Sequence, residues 1–198
     1  MRYYQEITLL PSQDISLSFL WRKVFNQIHI GLVEMKDEEN HSPIGVSFPE
    51  YLSPSDAIKY NKKMGIGKKL RVFAEDIALL ESMNIQKLLN RFLDYVHITG
   101  IRPVPDKVKG YAVYRRVHAI KSVPQKARRF AKRNSVSYEE AEARFQSPGK
   151  IVLPFIPMKS VSNSNSFFLF INRDERNQST NGSFGLYGLS AETTVPEF

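Results

Sequence analysis

Apolar residues recur at helical spacing from Ile15 to Met35, with Leu17, Leu20, Val24, Ile28, Leu32 and Met35 on one face. Tyr3 to Leu10, before this helix, reads as a strand. Ile44 to Phe48, after it, is a short strand closed by Pro49. Ser53-Pro54 can start a short helix that ends near Gly65. Leu70 to Ala74 is a strand. Glu75 to Leu93 is helical with a break near Asn84, and Tyr95 to Arg102 is extended. The order β-α-β-β-α-β predicts a ferredoxin-like domain, which buries its helices on one sheet face.

Pro103, Pro105 and Gly110 punctuate the chain and set a boundary, giving domains 1–105 and 106–198. Tyr111 to Ile120 alternates as a strand. A basic helix follows, with Ser122 as its cap and Pro124 in its first turn. Ser137 with Glu140 forms a capping box for a helix to Phe145. Ile151 to Ile156 is a strand that Pro154 pushes towards a sheet edge. Ser160 to Ser166 is a polar loop, Phe167 to Ile171 a strand, Asn181-Gly182 a turn and Phe184 to Leu189 the last strand. The class is α+β, with no internal repeat.

Charge separates the halves. Residues 1–100 carry twelve Lys/Arg and twelve Asp/Glu, and residues 101–198 carry sixteen and eight. The net charge of +8 therefore lies in the second half, as if a neutral scaffold were joined to a part that grips a polyanion. Arg115 to Arg133 holds eight of these cations and no acid. Arg128 and Lys132 are four apart, as are Arg129 and Arg133, so they stack along one side of a helix that Ala127 and Ala131 keep slim. Such a helix suits a nucleic-acid groove. A solvated basic surface is the plainer alternative, although such surfaces usually mix signs.

The chain has no cysteine, so no disulfide and no thiolate metal site. The start lacks the apolar core of a signal peptide, and no run approaches a membrane span. The reading is a soluble cytoplasmic protein, in which the sequons at Asn177 and Asn181 carry no meaning. Gly65-Ile66-Gly67-Lys68-Lys69 leads into a strand and lacks P-loop spacing, so it is no phosphate loop.

Four histidines are available: His29, His41, His97 and His118. No pair has metal-ligand spacing on one helix, and no acidic cluster of the two-metal type occurs. No metal or cofactor is expected. If the basic half binds RNA and the protein cuts it, the economical chemistry is metal-free. A histidine takes the ribose 2′-OH proton, and the oxygen attacks the adjacent phosphate. His29 sits beside Phe25, Leu32 and Val33, where a core histidine is the simpler reading. His118 lies inside the basic strand near Arg116, where a phosphate or base contact is the plainer reading. His41 reads as exposed and His97 as structural.

Several motifs together resemble a known family. They are VFNQIHIGLV around His29, IGVSFP at Ile44–Pro49, RRVHAIKS at Arg115–Ser122, SYEEAEARF at Ser137–Phe145, LPFIPMKSVS at Leu153–Ser162 and LYGLS at Leu186–Ser190. In this order and spacing they resemble the CRISPR repeat-processing endoribonuclease of subtype I-F systems, the Csy branch.

The resemblance implies a ferredoxin-like N-terminal domain and a C-terminal α+β domain whose Arg-rich helix grips a repeat hairpin. It puts the general base on His29, the residue holding the 2′-OH on Ser160, and the tyrosine orienting the histidine on Tyr187. Phe167 would stack on the base of the stem. Arg116 would read a guanine, for which its fork suits O6 and N7. His118 falls where the family has Gln, so the second base it reads is left open. Arg128, Arg129, Lys132 and Arg133 would track stem phosphates, with Arg115, Lys121 and Ser162 as further RNA contacts. An RNA major groove is normally too narrow for side chains, and a hairpin's end eases that constraint.

Two functions stay compatible: a metal-independent endoribonuclease, and an RNA-hairpin-binding subunit of a type I-F surveillance complex. A ribosomal or DNA-binding protein is what composition alone would also allow. Expected partners are the repeat RNA, as hairpin and guide, and other subunits of such a complex.

Overall fold

The computed structural model of the chain describes residues 1–118, 123–144, 152–160 and 165–198. It separates into two compact units, Met1–Val117 with Leu153–Phe198, and His118–Val152. The α+β class expected from the sequence holds: helices accompany two antiparallel sheets among the described residues.

The first sheet is built on β1 (Tyr3–Leu9). Helix α1 (Leu17–Glu34) follows, capped by Ser16, whose hydroxyl accepts from the Phe19 amide at 3.3 Å. Then come β2 (Gly45–Ser47), α2 (Pro54–Lys59, capped by Ser53) and β3 (Lys69–Ala74). The helical stretch expected over 75–93 with a break near Asn84 is three pieces: α3 (Ile77–Met83), α4 (Ile85–Leu88) and a 3₁₀ turn (Asn90–Tyr95). The break falls at Asn84, which adopts φ 44 and caps α4 by accepting from the Lys87 amide at 3.1 Å. Asparagine tolerates that left-handed conformation. Strands β4 (Val96–Ile98) and β5 (Arg102–Pro103) both pair with β1, and the main order is β2-β3-β1-β4.

In α1, Leu20, Trp21, Val24, Phe25, Ile28, Gly31 and Leu32 are buried, whereas Leu17 and Met35 are only partly covered. The buried arc is wider than one stripe because one apolar cluster gathers this helix with Ile7, Leu70 and Val72 of the first sheet and Ile156, Met158 and Leu169 of the second.

The second sheet runs β7-β8-β6-β9. Strand β6 is Gly110–Val117. Strand β7 is Phe155–Lys159, displaced from the expected 151–156, so that Pro154 precedes it and Pro157 lies in it. As an edge strand it can lose an N–H without breaking a ladder. Strand β8 runs Ser166–Arg176, well past Ile171. Its polar end is held by Arg115–Asp174 at 3.1 Å and by the Arg173–Glu197 pair.

The expected strand at 184–189 is corrected. Phe184 makes a lone bridge to Ser42, and the chain then turns: the Gly188 amide donates to the Gly185 carbonyl at 2.8 Å. The last strand is instead β9 (Val195–Glu197), on the edge beside β6. The turn expected at Asn181-Gly182 is likewise absent there, and the tight turn lies at Leu186–Tyr187.

The second unit contains α5 (Val123–Asn134) and α6 (Tyr138–Ala143), packed on each other. Ser137 caps α6, accepting from the Glu140 amide at 3.1 Å. Ala127 and Ala141 are buried. The predicted cap of α5, Ser122, lies outside the described residues.

Candidate active site

Three stretches far apart in sequence meet in the first unit. Helix α1 presents His29 on the same side as Ile30 and Val33. The end of β7 supplies Met158, Lys159 and Ser160, and β8 supplies Phe167. The Leu186–Tyr187 turn closes the space. Together they line a cavity of about 430 Å³. A larger cavity of about 630 Å³ near Met1 and Thr193 has no histidine in its lining and offers no comparable chemistry.

His29 is held from two directions. Its Nδ1 lies 2.8 Å from the Leu186 carbonyl oxygen. A carbonyl can only accept, so Nδ1 carries the proton of the neutral ring and Nε2 keeps its lone pair. The ring stacks on Tyr187, with centroids 4.2 Å apart and planes 11° from parallel. Burial pushes the His29 pKa below its ordinary value. The bond to Leu186 works the other way, and the Arg116 guanidinium adds to the depression. A neutral imidazole with a free Nε2 is the form a general base needs.

Strand alternation divides the two arginines of β6. Arg116 turns towards the site, its guanidinium carbon 5.1 Å from the Tyr187 centroid and 5.4 Å from that of Phe167. The Phe167 and Tyr187 rings meet edge to face at 6.5 Å. Arg115 points to the other face, paired with Asp174.

Of the residues singled out from sequence, His29, Ser160, Phe167 and Tyr187 share the cavity, and Arg116 reaches two of its rings. His118 is exposed and begins the second unit. Arg128, Arg129, Lys132 and Arg133 are exposed on α5. Lys121 and Ser162 lie outside the described residues. Sequence reasoning missed Lys159 and Glu34, a cation and an acid on the cavity wall. Lys159 could have been found from its place next to Ser160. Glu34 gave no signal beyond its position on α1.

A family model for CRISPR-associated proteins, Cas_Csy4, matches residues 4–198. The chain belongs to the Csy4 family. A curated relative from Escherichia coli (strain UTI89 / UPEC), the CRISPR-associated endonuclease Cas6/Csy4, is 33% identical over 202 residues, covering 100% of each chain. Membership of the Csy4 family thus spans both the His29 helix and the Tyr187 turn. Among the described residues of this Csy4-family chain, no helix is long and apolar enough to cross a membrane. Nor do three His, Cys, Asp or Glu gather there as a metal ion would require.

Proposed function

We propose that this chain is an endoribonuclease that cuts CRISPR precursor RNA at the base of the repeat hairpin without a metal ion. His29 Nε2 accepts the proton of the ribose 2′-OH. The oxygen attacks the adjacent phosphorus, and the bond to the 5′-oxygen breaks as that oxygen takes up a proton. One fragment ends in a 2′,3′-cyclic phosphate and the other begins with a 5′-OH. The observation that carries this reading is the His29 ring, fixed by the Leu186 carbonyl and Tyr187 beside Ser160.

Ser160 holds the 2′-OH, Tyr187 keeps the imidazole in place and Phe167 stacks on the last base pair of the stem. Arg116 reads a guanine, His118 a neighbouring base, and Arg128, Arg129, Lys132 and Arg133 track phosphates. Arg115, Lys121 and Ser162 add contacts. Labour divides between 1–105, a ferredoxin-like part carrying the base, and 106–198, which grips RNA. The strand order β2-β3-β1-β4 supports the ferredoxin-like reading. After cutting, the protein keeps its product as part of a cytoplasmic type I-F surveillance complex. Metal independence is supported by residue types: Glu34 is the one carboxylate on the cavity wall among the described residues.

The test is a labelled repeat hairpin incubated with the protein in EDTA. Cutting should proceed and give the cyclic phosphate. A hairpin with a single 2′-deoxy nucleotide just upstream of the cut should bind and stay intact. A strict magnesium requirement, or cutting of the deoxy hairpin, would point instead to a metal-activated water.

A further inference from the structure

Two arginines of the first unit lie over pairs of aromatic rings, Arg71 over Tyr4 and Phe198 and Arg116 over Phe167 and Tyr187. They are held differently. Arg71 is also pinned by Glu6, 2.8 Å from its Nε, and it donates to the Phe198 carbonyl at 2.9 Å. Arg116 forms no ion pair with an acid among the described residues. A guanidinium bound by a carboxylate is a fixed part of the structure. One held by ring faces is tethered weakly, and its fork of N–H donors stays available to another partner.

The tether also sets its direction. Arg116 pairs with Ile171 in the β6–β8 ladder, and Phe167 lies on the same face of β8 four residues away. At about 3.3 Å per residue that is roughly 13 Å along the strand. The Arg116 side chain therefore lies along the sheet to bring its guanidinium carbon within 5.4 Å of the Phe167 centroid.

The corner it fills is the one the substrate needs. Phe167 is the ring assigned above to the last base pair of the stem, and a base pair and a guanidinium cannot share its face. The base nearest to the displaced guanidinium is then one in the pair that displaces it. Guanine offers the fork two acceptors, O6 and N7, in exchange for the rings. Adenine sets a donor beside its N7, cytosine presents a donor, and uracil has a single acceptor, so none of them repays the fork in the same way.

We propose that Arg116 is a specificity latch with two positions. In the free protein its guanidinium closes the Phe167–Tyr187 corner, and a last pair with guanine in reach of the fork draws it out and takes its place on Phe167. The inference rests on the endoribonuclease reading above. Discrimination then has a repulsive part, the closed corner, as well as an attractive one, the contact to guanine.

The experiment uses hairpins that differ only in the last pair of the stem, guanine–cytosine against adenine–uracil in both orientations. Cleavage is followed in single turnover at saturating protein, in EDTA, so that affinity does not enter. The parent should favour a guanine stem. Arg116→Ala should cut that stem more slowly and the adenine–uracil stems about three- to thirty-fold faster than the parent does, the factor equivalent to a cation over aromatic rings. Arg116→Lys leaves a cation for the rings, so the adenine–uracil stems should stay as slow as with the parent. A second readout needs no RNA. Burial depresses the His29 pKa most and the Arg116 charge adds to it, so an NMR titration of free Arg116→Ala should show that pKa raised. Glu34, Lys159 and Tyr187, the other ionisable groups on the cavity wall, are the same in all three proteins.

A parent that prefers guanine, with adenine–uracil stems cut no faster by Arg116→Ala, overturns the latch and leaves the nuclease reading intact. An equal gain in Arg116→Lys, or an unmoved His29 pKa in Arg116→Ala, overturns it too. A parent that cuts all stems alike removes Arg116 from guanine reading and the latch with it, while a parent that cuts none in EDTA overturns the nuclease reading as well.

Discussion

His29 and Tyr187 lie face to face, 4.2 Å between ring centroids, although 157 residues separate His29 from the Leu186 carbonyl that holds its Nδ1. The contact ties the middle of the first helix to the last tight turn of the chain. The nitrogen that can act as a base is therefore aimed by a backbone atom, which no substitution removes directly.

His29→Ala should reduce cleavage by about 10² to 10⁴-fold, the range expected for one acid–base group. Hairpin affinity should stay within a few-fold, because the exposed cations of α5 carry the charge. An Arg128→Ala, Arg129→Ala double variant should do the reverse and weaken binding strongly. Single-turnover cleavage and filter binding, measured side by side, separate the two. If His29→Ala costs as much affinity as the double variant, the histidine is structural.

The depressed pKa of His29 sets a pH dependence. Cleavage at saturating protein should be level around neutrality and fall only as acid protonates the ring, with a midpoint below the ordinary 6.5. Stability follows with the same sign. Between the folded pKa and about 6.5 the unfolded chain binds more protons at this residue, so stability rises with pH there. The contribution is whole above 6.5 and is lost as pH falls through the folded value. His29→Gln should remove that part of the acid sensitivity in denaturant titrations. A cleavage midpoint above 6.5 would mean that another group is titrating.

Much of this arrangement was legible in the sequence, for identifiable reasons. The α1 period, the Ser53 and Ser137 caps and the break at Asn84 are local signals, and local energetics decided them. Motif resemblance put His29, Ser160, Phe167 and Tyr187 together, which no periodicity could have done. The end of the chain was misread because its structure is not local. Phe184 to Leu189 looks apolar enough for a strand, yet Gly188 sits at φ +68 and turns it. Val195–Glu197 holds a proline and is short, and only pairing with Gly110–Ala112 makes it a strand. The polar half of β8 was lost for a similar reason, since its partner residues and ion pairs lie elsewhere in the chain.

Salt should distinguish phosphate contacts from base contacts. Lys132→Ala should weaken hairpin binding about equally for every stem sequence and lower the salt slope by about 0.7–1. Arg116→Ala should relax preference at one stem base pair by about 1–3 kcal/mol, the usual discrimination of a bidentate contact. It should also slow cleavage, because its guanidinium lies over both Phe167 and Tyr187. Identical behaviour of the two variants across a panel of stems would remove Arg116 from base reading.

The turn that carries Leu186 and Tyr187 depends on Gly188. Its φ of +68 is costly for any residue with a side chain, by about 1–2 kcal/mol. A Cβ there would also lie 2.7 Å from a Val46 methyl, while the Gly188 carbonyl accepts from the Val46 amide at 2.9 Å. Gly188→Ala must therefore either strain the backbone or lift the turn off β2. Lifting it moves both the carbonyl that orients His29 and the ring beneath it. A displacement near 1 Å is enough to cost about 10²-fold in rate. The expected result is a lowered melting temperature, cleavage down by that order and hairpin binding nearly intact. Val46→Ala removes the clash but not the φ penalty, so Val46→Ala with Gly188→Ala should lose less stability than the two single changes summed. Strict additivity would assign the damage to backbone conformation alone, and full activity in Gly188→Ala would show that the turn is not what aims His29.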